Sequence, residues 1–251
     1  LDPRSANTAR RTTRTLVFLR RYPEALAAAE RGLTLAPTNL SMIEERAIVP
    51  LAQGDLAGAQ AVIHAALHKV DTAALLVFFG NYQDLYWVLD DTQQQLLLTL
   101  PPSAFDNDRG LWSIVRAQTY WLWKDPAKAR VYADSAQLAF AEQLRATPDD
   151  AQRHVVRGLA LAYLGRKAEA IAEGERGVSL VPVSRDAFSG AYIQLQLVRI
   201  YLLVGEPEKA LDQLEPLLKM PYYLSPGWLK IDPTFAPLRG NPRFERLVNG
   251  S

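Results

Sequence analysis

Two histidines, His64 and His68, stand four residues apart in AVIHAALHKVD, and Asp71 follows. On a helix this spacing puts both imidazoles on one face, where they could hold zinc. A hydrolytic zinc helix also needs a glutamate directly after the first histidine, and Ala65 stands there. No third ligand is identifiable, so two ordinary helix-face histidines are the preferred reading. Carboxylates come as doublets, Asp90–Asp91 and Asp149–Asp150. Both doublets sit where a helix should begin, and capping of free N–H groups accounts for them. Six arginines (Arg4, Arg10, Arg11, Arg14, Arg20 and Arg21) crowd the first 21 positions. They could hold an anion or an acidic peptide. The simpler reading is a solvated helix face partnered by Asp2, Glu24 and Glu30.

Other chemistry is missing. Cysteine is absent, which removes disulfides, thiolate metal sites and cysteine nucleophiles. There is no phosphate loop, no dinucleotide glycine fingerprint and no nucleophile elbow, nor any sign of a sheet to carry one. The net charge of +1 gives no general field for nucleic acid. The longest apolar runs, Leu75–Phe79 and Leu159–Leu164, fall far short of the roughly 20 residues of a membrane helix. No catalysis, cofactor, metal, nucleic acid or membrane insertion is expected of this segment. A small-molecule enzyme pocket built on Arg199 and Tyr192 is the minor alternative.

What positions these residues is a repeat. The opening LDP, Leu1 to Pro3, returns as LAP, Leu35 to Pro37, and RYPEALAAAERGL aligns with DLAGAQAVIHAAL, both at a shift of 34. Further copies surround WKDPAKARVYADSA, LGRKAEAIAEGERGVSLVP and VGEPEKALDQLEPLL. Each copy centres on an alanine: Ala25, Ala59, Ala129, Ala170 and Ala210. Five positions earlier lies the turn between two helices, with Arg20, Gly54, Lys124, Gly165 and Gly205. Glycine there accepts a left-handed backbone without steric cost. Twelve before the alanine stand Thr13, Ala47, Ala117, Gly158 and Val198. Seven after it stand Gly32, Ala66, Ala136, Gly177 and Leu217. Most are small, as a close helix crossing requires. The spacings of 41 from Ala129 to Ala170 and 40 from Ala170 to Ala210 predict a lengthened second helix, Arg130 to Thr147, and an extended linker or longer first helix around VPVSRDAFSG.

These phased residues resemble the tetratricopeptide repeat (TPR) family over five helix pairs, about 6–37, 40–70, 110–146, 151–182 and 187–219. TAALLVFFGNYQDLYWVL and the capped helix in DDTQQQLLLTLPP read as a degenerate sixth pair, about 72–100. The expected fold is all-α: an α-α superhelix (TPR solenoid) of about five to six helix pairs over 1–224. An irregular C-terminal capping strap with a short helix covers 225–251. The resemblance implies a concave groove lined by first helices and a protein or peptide segment as occupant. Its candidate lining residues are Asn7, Arg10, Arg14 and Val17; Ser41, Glu44, Ile48 and Leu51; Leu111, Ile114, Gln118 and Trp121; Gln152, Val155, Leu159 and Ala162; and Tyr192, Leu195, Arg199 and Leu202. Phe78 and Tyr82 join them from the degenerate pair. The groove is expected to be basic at its N-terminal end, apolar and aromatic in the middle, with Trp121 as anchor for a peptide side chain. Arg10 and Arg14 stand where some relatives carry a lysine–asparagine clamp for a peptide carboxylate, so that specificity does not transfer.

The ending WLKIDPTFAPLRGNPRFERLV is expected to fold over the last pair, its aromatics buried on DQLEPLLKM, with Asn241 capping the final helix and Pro242 starting it. Its Trp228, Asp232–Pro233, Pro237–Arg239 and Pro242–Phe244 also resemble the C-termini of large bacterial signalling proteins. In those proteins the repeats follow a serine/threonine kinase, a nucleotide cyclase or a winged-helix regulator. The resemblance implies that this chain is the sensing or docking part of such a protein. The chain opens mid-pattern with LDPRS and no Met, which fits an excerpt. Self-association through the N-terminal end is the alternative role. A cytoplasmic location is favoured; an extracytoplasmic one follows if the parent has a membrane span upstream.

Overall fold

The computed structural model describes residues 5–250, so Leu1–Pro3 of the opening LDP, Asp2 and Arg4 of the charge cluster, and Ser251 lie outside it. Among the described residues the regular elements are all helical. Five pairs follow the repeat. They are α1 (Ala6–Phe18) with α2 (Tyr22–Leu35), and α3 (Leu40–Gln53) with α4 (Leu56–Leu67). After α5 (Thr72–Asn81) and α6 (Asp91–Thr99) come α7 (Arg109–Leu122) with α8 (Pro126–Ala146), α9 (Ala151–Tyr163) with α10 (Lys167–Leu180), and α11 (Ser189–Leu203) with α12 (Pro207–Lys219). Within each of the five pairs the two helices pack on each other. The chain is thus an all-α, TPR-like superhelix of stacked helix pairs.

The repeat positions explain the stacking. Ala25, Ala59, Ala129, Ala170 and Ala210 are all fully buried, as are Thr13, Ala47, Ala117 and Val198 across from them. A Cβ on Gly158 would meet the Ala170 carbonyl oxygen at 3.0 Å, and one on Gly177 would meet that of Ala151 at 2.8 Å. Only a bare backbone allows α9 and α10 that close. All five turn positions adopt positive φ: 59° at Arg20, 82° at Gly54, 58° at Lys124, 77° at Gly165 and 73° at Gly205. The strained arginine has its own reason, given below. Asp90 closes a capping box with Gln93, and Asp150 accepts from Arg153 N at 3.0 Å, so both carboxylate doublets contribute caps. The lengthened second helix is α8, and the other excess is a turn-rich linker before α11.

The degenerate pair differs from expectation. The helix predicted through Leu89 stops at Asn81, and residues 82–89 pass inward through a short 3-10 turn at Tyr86–Val88. Leu85, Tyr86, Trp87, Val88 and Leu89 are all buried there. Five adjacent apolar residues cannot share one face of an α-helix, so an irregular path buries more of them.

The strap also takes an unexpected course. It comprises α13 (Pro226–Ile231), a 3-10 turn (Pro233–Leu238) and α14 (Pro242–Asn249). The expected contact with the last pair is present: α14 packs on α12, and Arg243 reaches Glu208 at 2.8 Å and Asp212 at 2.9 Å. But α13 packs on α3, nearly the whole array away. Ser225 Oγ donates to the Ala52 carbonyl at 2.5 Å. A Cβ on Gly227 would meet backbone atoms of Gln53 and Gly54 at 2.8 Å. Arg20 donates to the carbonyls of Leu224 at 2.5 Å and Tyr223 at 3.3 Å. That reach requires a long donor at the first turn and explains the arginine where three other copies carry glycine. The strap therefore joins the last pair to the first two, and the stack closes on itself.

Candidate functional site

Closure leaves a half-open cavity of about 500 Å3 on the concave side. One wall is α1, with Arg10, Arg14, Val17 and Phe18. A second is α3, with Ser41, Glu44, Glu45 and Ile48. Tyr82, Asp84 and Leu85 form the floor, and Gln152, Phe188, Tyr192, Ile193, Tyr222 and Tyr223 complete the far side. The two ends of the array meet over it. The Phe18 ring lies 6.3 Å from Phe188 and 5.9 Å from Tyr222, and the Arg14 guanidinium sits 4.7 Å over Phe188. Of the residues singled out from sequence, Arg10, Arg14, Glu44, Tyr82, Gln152 and Tyr192 all line this cavity.

Its electrostatics differ from the basic end expected. Arg14 Nε donates to Glu45 Oε1 at 2.6 Å, and Arg10 lies 3.9 Å from the same carboxylate. Both arginines are thus directed at one acid. Two further acids are left over. Glu44 is 7% exposed and, among the described residues, has no hydrogen-bond or ion-pair partner. Burial, reinforced by Glu45, pushes its carboxyl up to about 8 against the pull of Arg14. Asp84 is 4% exposed; its Oδ2 accepts from the Tyr223 hydroxyl, and its Oδ1 has no partner. Burial pushes this carboxyl up as well, against nearby Arg199.

These shifts make stability depend on pH with a definite sign. In the unfolded chain Glu44 loses its proton near the ordinary glutamate range, while in the fold it keeps the proton to about 8. Between those values the folded state binds more protons, so stability falls as pH rises and levels off above about 8. Raised Glu45 and Asp84 act in the same direction. Glu44→Gln should flatten the fall by up to a few kcal/mol, since one pKa unit is worth about 1.4 kcal/mol. Urea midpoints at pH 5.5 and pH 8 check this. An unchanged difference between the two would remove Glu44 as its source.

The inward segment divides the concave side. Tyr82, Asp84 and Leu85 face the first cavity, whereas Gln83 and Tyr86 line a second of about 350 Å3. Tyr192 spans the division, its hydroxyl donating to Gln83 Oε1 at 2.6 Å. The second cavity holds the remaining predicted residues, Gln118, Trp121 and Arg199. Trp121 is 37% exposed, with its ring 5.4 Å from Tyr163. The other two are spent inside the fold. Gln118 Nε2 donates to the Gly80 carbonyl at 2.8 Å. Arg199 Nη2 donates to Asp232 Oδ2 at 2.7 Å, and Nη1 to Thr234. Burial works against the Arg199 charge, but Asp232, Asp84, Tyr86 and Tyr223 together outweigh it and hold the group above its usual value. Arg199 is therefore a clasp for the strap and is not available to a ligand.

Several wall residues were not singled out from sequence: Glu45, Asp84, Phe188, Tyr222 and Tyr223. A signal for the acids exists. Glu44–Glu45 interrupts the apolar MI…AIV of one helix, and Asp84 interrupts a run of aromatic and apolar residues. A carboxylate inside such a run is either solvated by a cavity or paired. Elsewhere, His64 Nε2 lies 2.8 Å from Asp90 Oδ2, and Arg21 pairs with Glu24 on the surface. No helix among the described residues is long and apolar enough to cross a membrane.

No family model matches the chain, and no curated protein matches it. Among solved structures it aligns with the "TPR2AB-domain:pHSP90-complex of yeast Sti1" over 92% of this chain and 97% of that one, at 16% identity and a TM-score of 0.30. The fold described above stands on its own helix pairing.

Proposed function

We propose that this chain is a non-catalytic docking module, and that a short segment of a partner protein enters the cavity between α1, α3 and α11. The observation that carries this reading is the cavity itself. Its volume of about 500 Å3 lies within the usual range of binding clefts, about 300–1,000 Å3. Its wall combines the apolar Val17, Phe18 and Ile48 with unpaired polar groups, as sites that orient a ligand do. A peptide library displayed on an array tests it. Captured peptides should be lost in Ile48→Trp, which fills the cavity, while circular dichroism shows the helices intact. Capture of nothing, or equal capture by the filled variant, would overturn the docking reading.

Two wider features of the proposal rest on other observations. The WLKIDPTFAPLRGNPRF ending supports a place at the C-terminal end of a larger bacterial signalling protein, with a kinase, cyclase or winged-helix domain upstream. The parent sequence before Leu1 decides that. Leu19 and Leu35, both about half exposed on the first pair, favour self-association through the N-terminal end as the second reading. A strict monomer in sedimentation over a wide concentration range would remove it.

A further inference from the structure

We infer that the cavity between α1, α3 and α11 takes a basic side chain, lysine or arginine, from the docked segment, with Glu44 and Asp84 as its counter-charges. This rests on the docking reading and adds the chemistry of the occupant.

The reason is a missing positive charge. An acid withdrawn from water without a partner is costly, and such groups are ordinarily paired. Glu44 is more than nine-tenths buried, lines the cavity and has no partner among the described residues. Asp84 is as deeply buried on the floor of the same cavity, and its Oδ1 is unpartnered. The cations already present do not fill the role: Arg199 acts on Asp84 but is bonded to Asp232 and Thr234 and does not line this cavity. Arg14 is bonded to Glu45 and covers Phe188, and Arg10 points to Asn7 and Glu45. Across the cavity from α3 stand tyrosines, whose π-faces also attract cations. A lysine or arginine stem fits the apolar part of the wall while its head reaches the acids. An acidic side chain would instead add a further negative charge to Glu44, Glu45 and Asp84.

The free protein holds Glu44 protonated near neutrality. A bound cation favours the ionised form, so binding releases a proton and tightens as pH rises towards 8. Around Glu44 the other charged or titratable groups are Arg10 and Arg14 from α1, Glu45 beside it, and Tyr82 and Asp84 from the inward segment. Glu45 is bonded to Arg14, and burial raises Glu45 and Asp84 in the same direction as Glu44. The test uses the whole chain and acetyl-Ala-Ala-X-Ala-Ala-amide peptides, with X as lysine, arginine, Nε-acetyl-lysine, norleucine or glutamate, titrated by calorimetry and NMR. Lysine and arginine peptides should bind at least about tenfold tighter than the other three, the worth of one charged hydrogen bond. Their affinity should rise between pH 6 and pH 8. Glu44→Gln should reduce both the preference and the pH dependence, and Asp84→Asn should reduce the preference. Equal binding of norleucine or glutamate peptides, or an intact preference in Glu44→Gln, overturns the inference. If longer library peptides bind but replacing their basic residues by norleucine changes nothing, the inference falls and docking stands. If neither set binds, both fall.

Discussion

Asp232→Ala should destabilise the fold by about 3–5 kcal/mol, the usual loss when one member of a buried ion pair is removed. The carboxylate accepts from Arg199 at 2.7 Å, from the Trp228 indole at 3.2 Å and from Thr234 N at 2.8 Å, with both charged side chains almost wholly buried. Alanine leaves the Arg199 guanidinium in the interior with Asp84 as its remaining acidic neighbour, and it leaves two further donors unpaired. The penalty comes from what remains, so removing both charges should cost less. Arg199→Met with Asp232→Leu should recover most of the loss, because apolar residues can replace a buried pair at little cost. Urea denaturation of the two single variants and the double variant gives the comparison. A loss below about 1 kcal/mol for Asp232→Ala would show that the pair contributes no more than a surface one.

Trp228→Ala should lose a similar amount, about 3–5 kcal/mol, for a different reason. Trp228 has no exposed surface, and its ring packs edge-on to Trp87 at 6.1 Å and against Tyr223 at 4.9 Å. Those neighbours come from the inward segment and the residues leading into the strap, while the helix carrying Trp228 lies on α3. The effect should therefore appear in pair two as well as pair five. Hydrogen exchange should quicken in α3 and α13 together. Phe244→Ala removes a ring stacked on Phe235 from the helix that packs on α12, so its effect should stay in the last pair and α14. Faster exchange confined to α11 and α12 in Trp228→Ala would mean that the strap covers only the end of the array.

The array was legible because its information is local. An alanine at the crossing and a turn five residues before it recur in every copy, a small residue twelve before it in most, and each has a steric cause. The groove-facing positions follow from the same phase, which is why Arg10, Arg14, Glu44, Gln152 and Tyr192 come together. What could not be read was long-range. LVFFGNYQDLYWVL suits a buried helix or an inward strand of irregular chain equally well. Nothing in the 33 residues separating Arg199 from Asp232 announces that they pair. Gly54 and Gly227 each have an ordinary local reading, at a turn and after a helix-starting proline, and their mutual approach is a tertiary fact. The acidic character of the cavity was missed because charge was judged along the N-terminal helix alone, whereas Glu45 and Asp84 arrive from other elements.

The bonds from Arg20 to the residues leading into the strap span 203 and 204 positions of the chain. During synthesis, at about 5–20 residues per second, the first helix pair waits roughly 10–40 s for its partner to be made. Until then the seats for Ser225 and Gly227 at the end of α3 are open, and the early pairs are exposed to chaperones or to a neighbouring nascent chain. A neighbour's strap would fit those seats as well as the chain's own, so crowding on one messenger favours exchanged dimers.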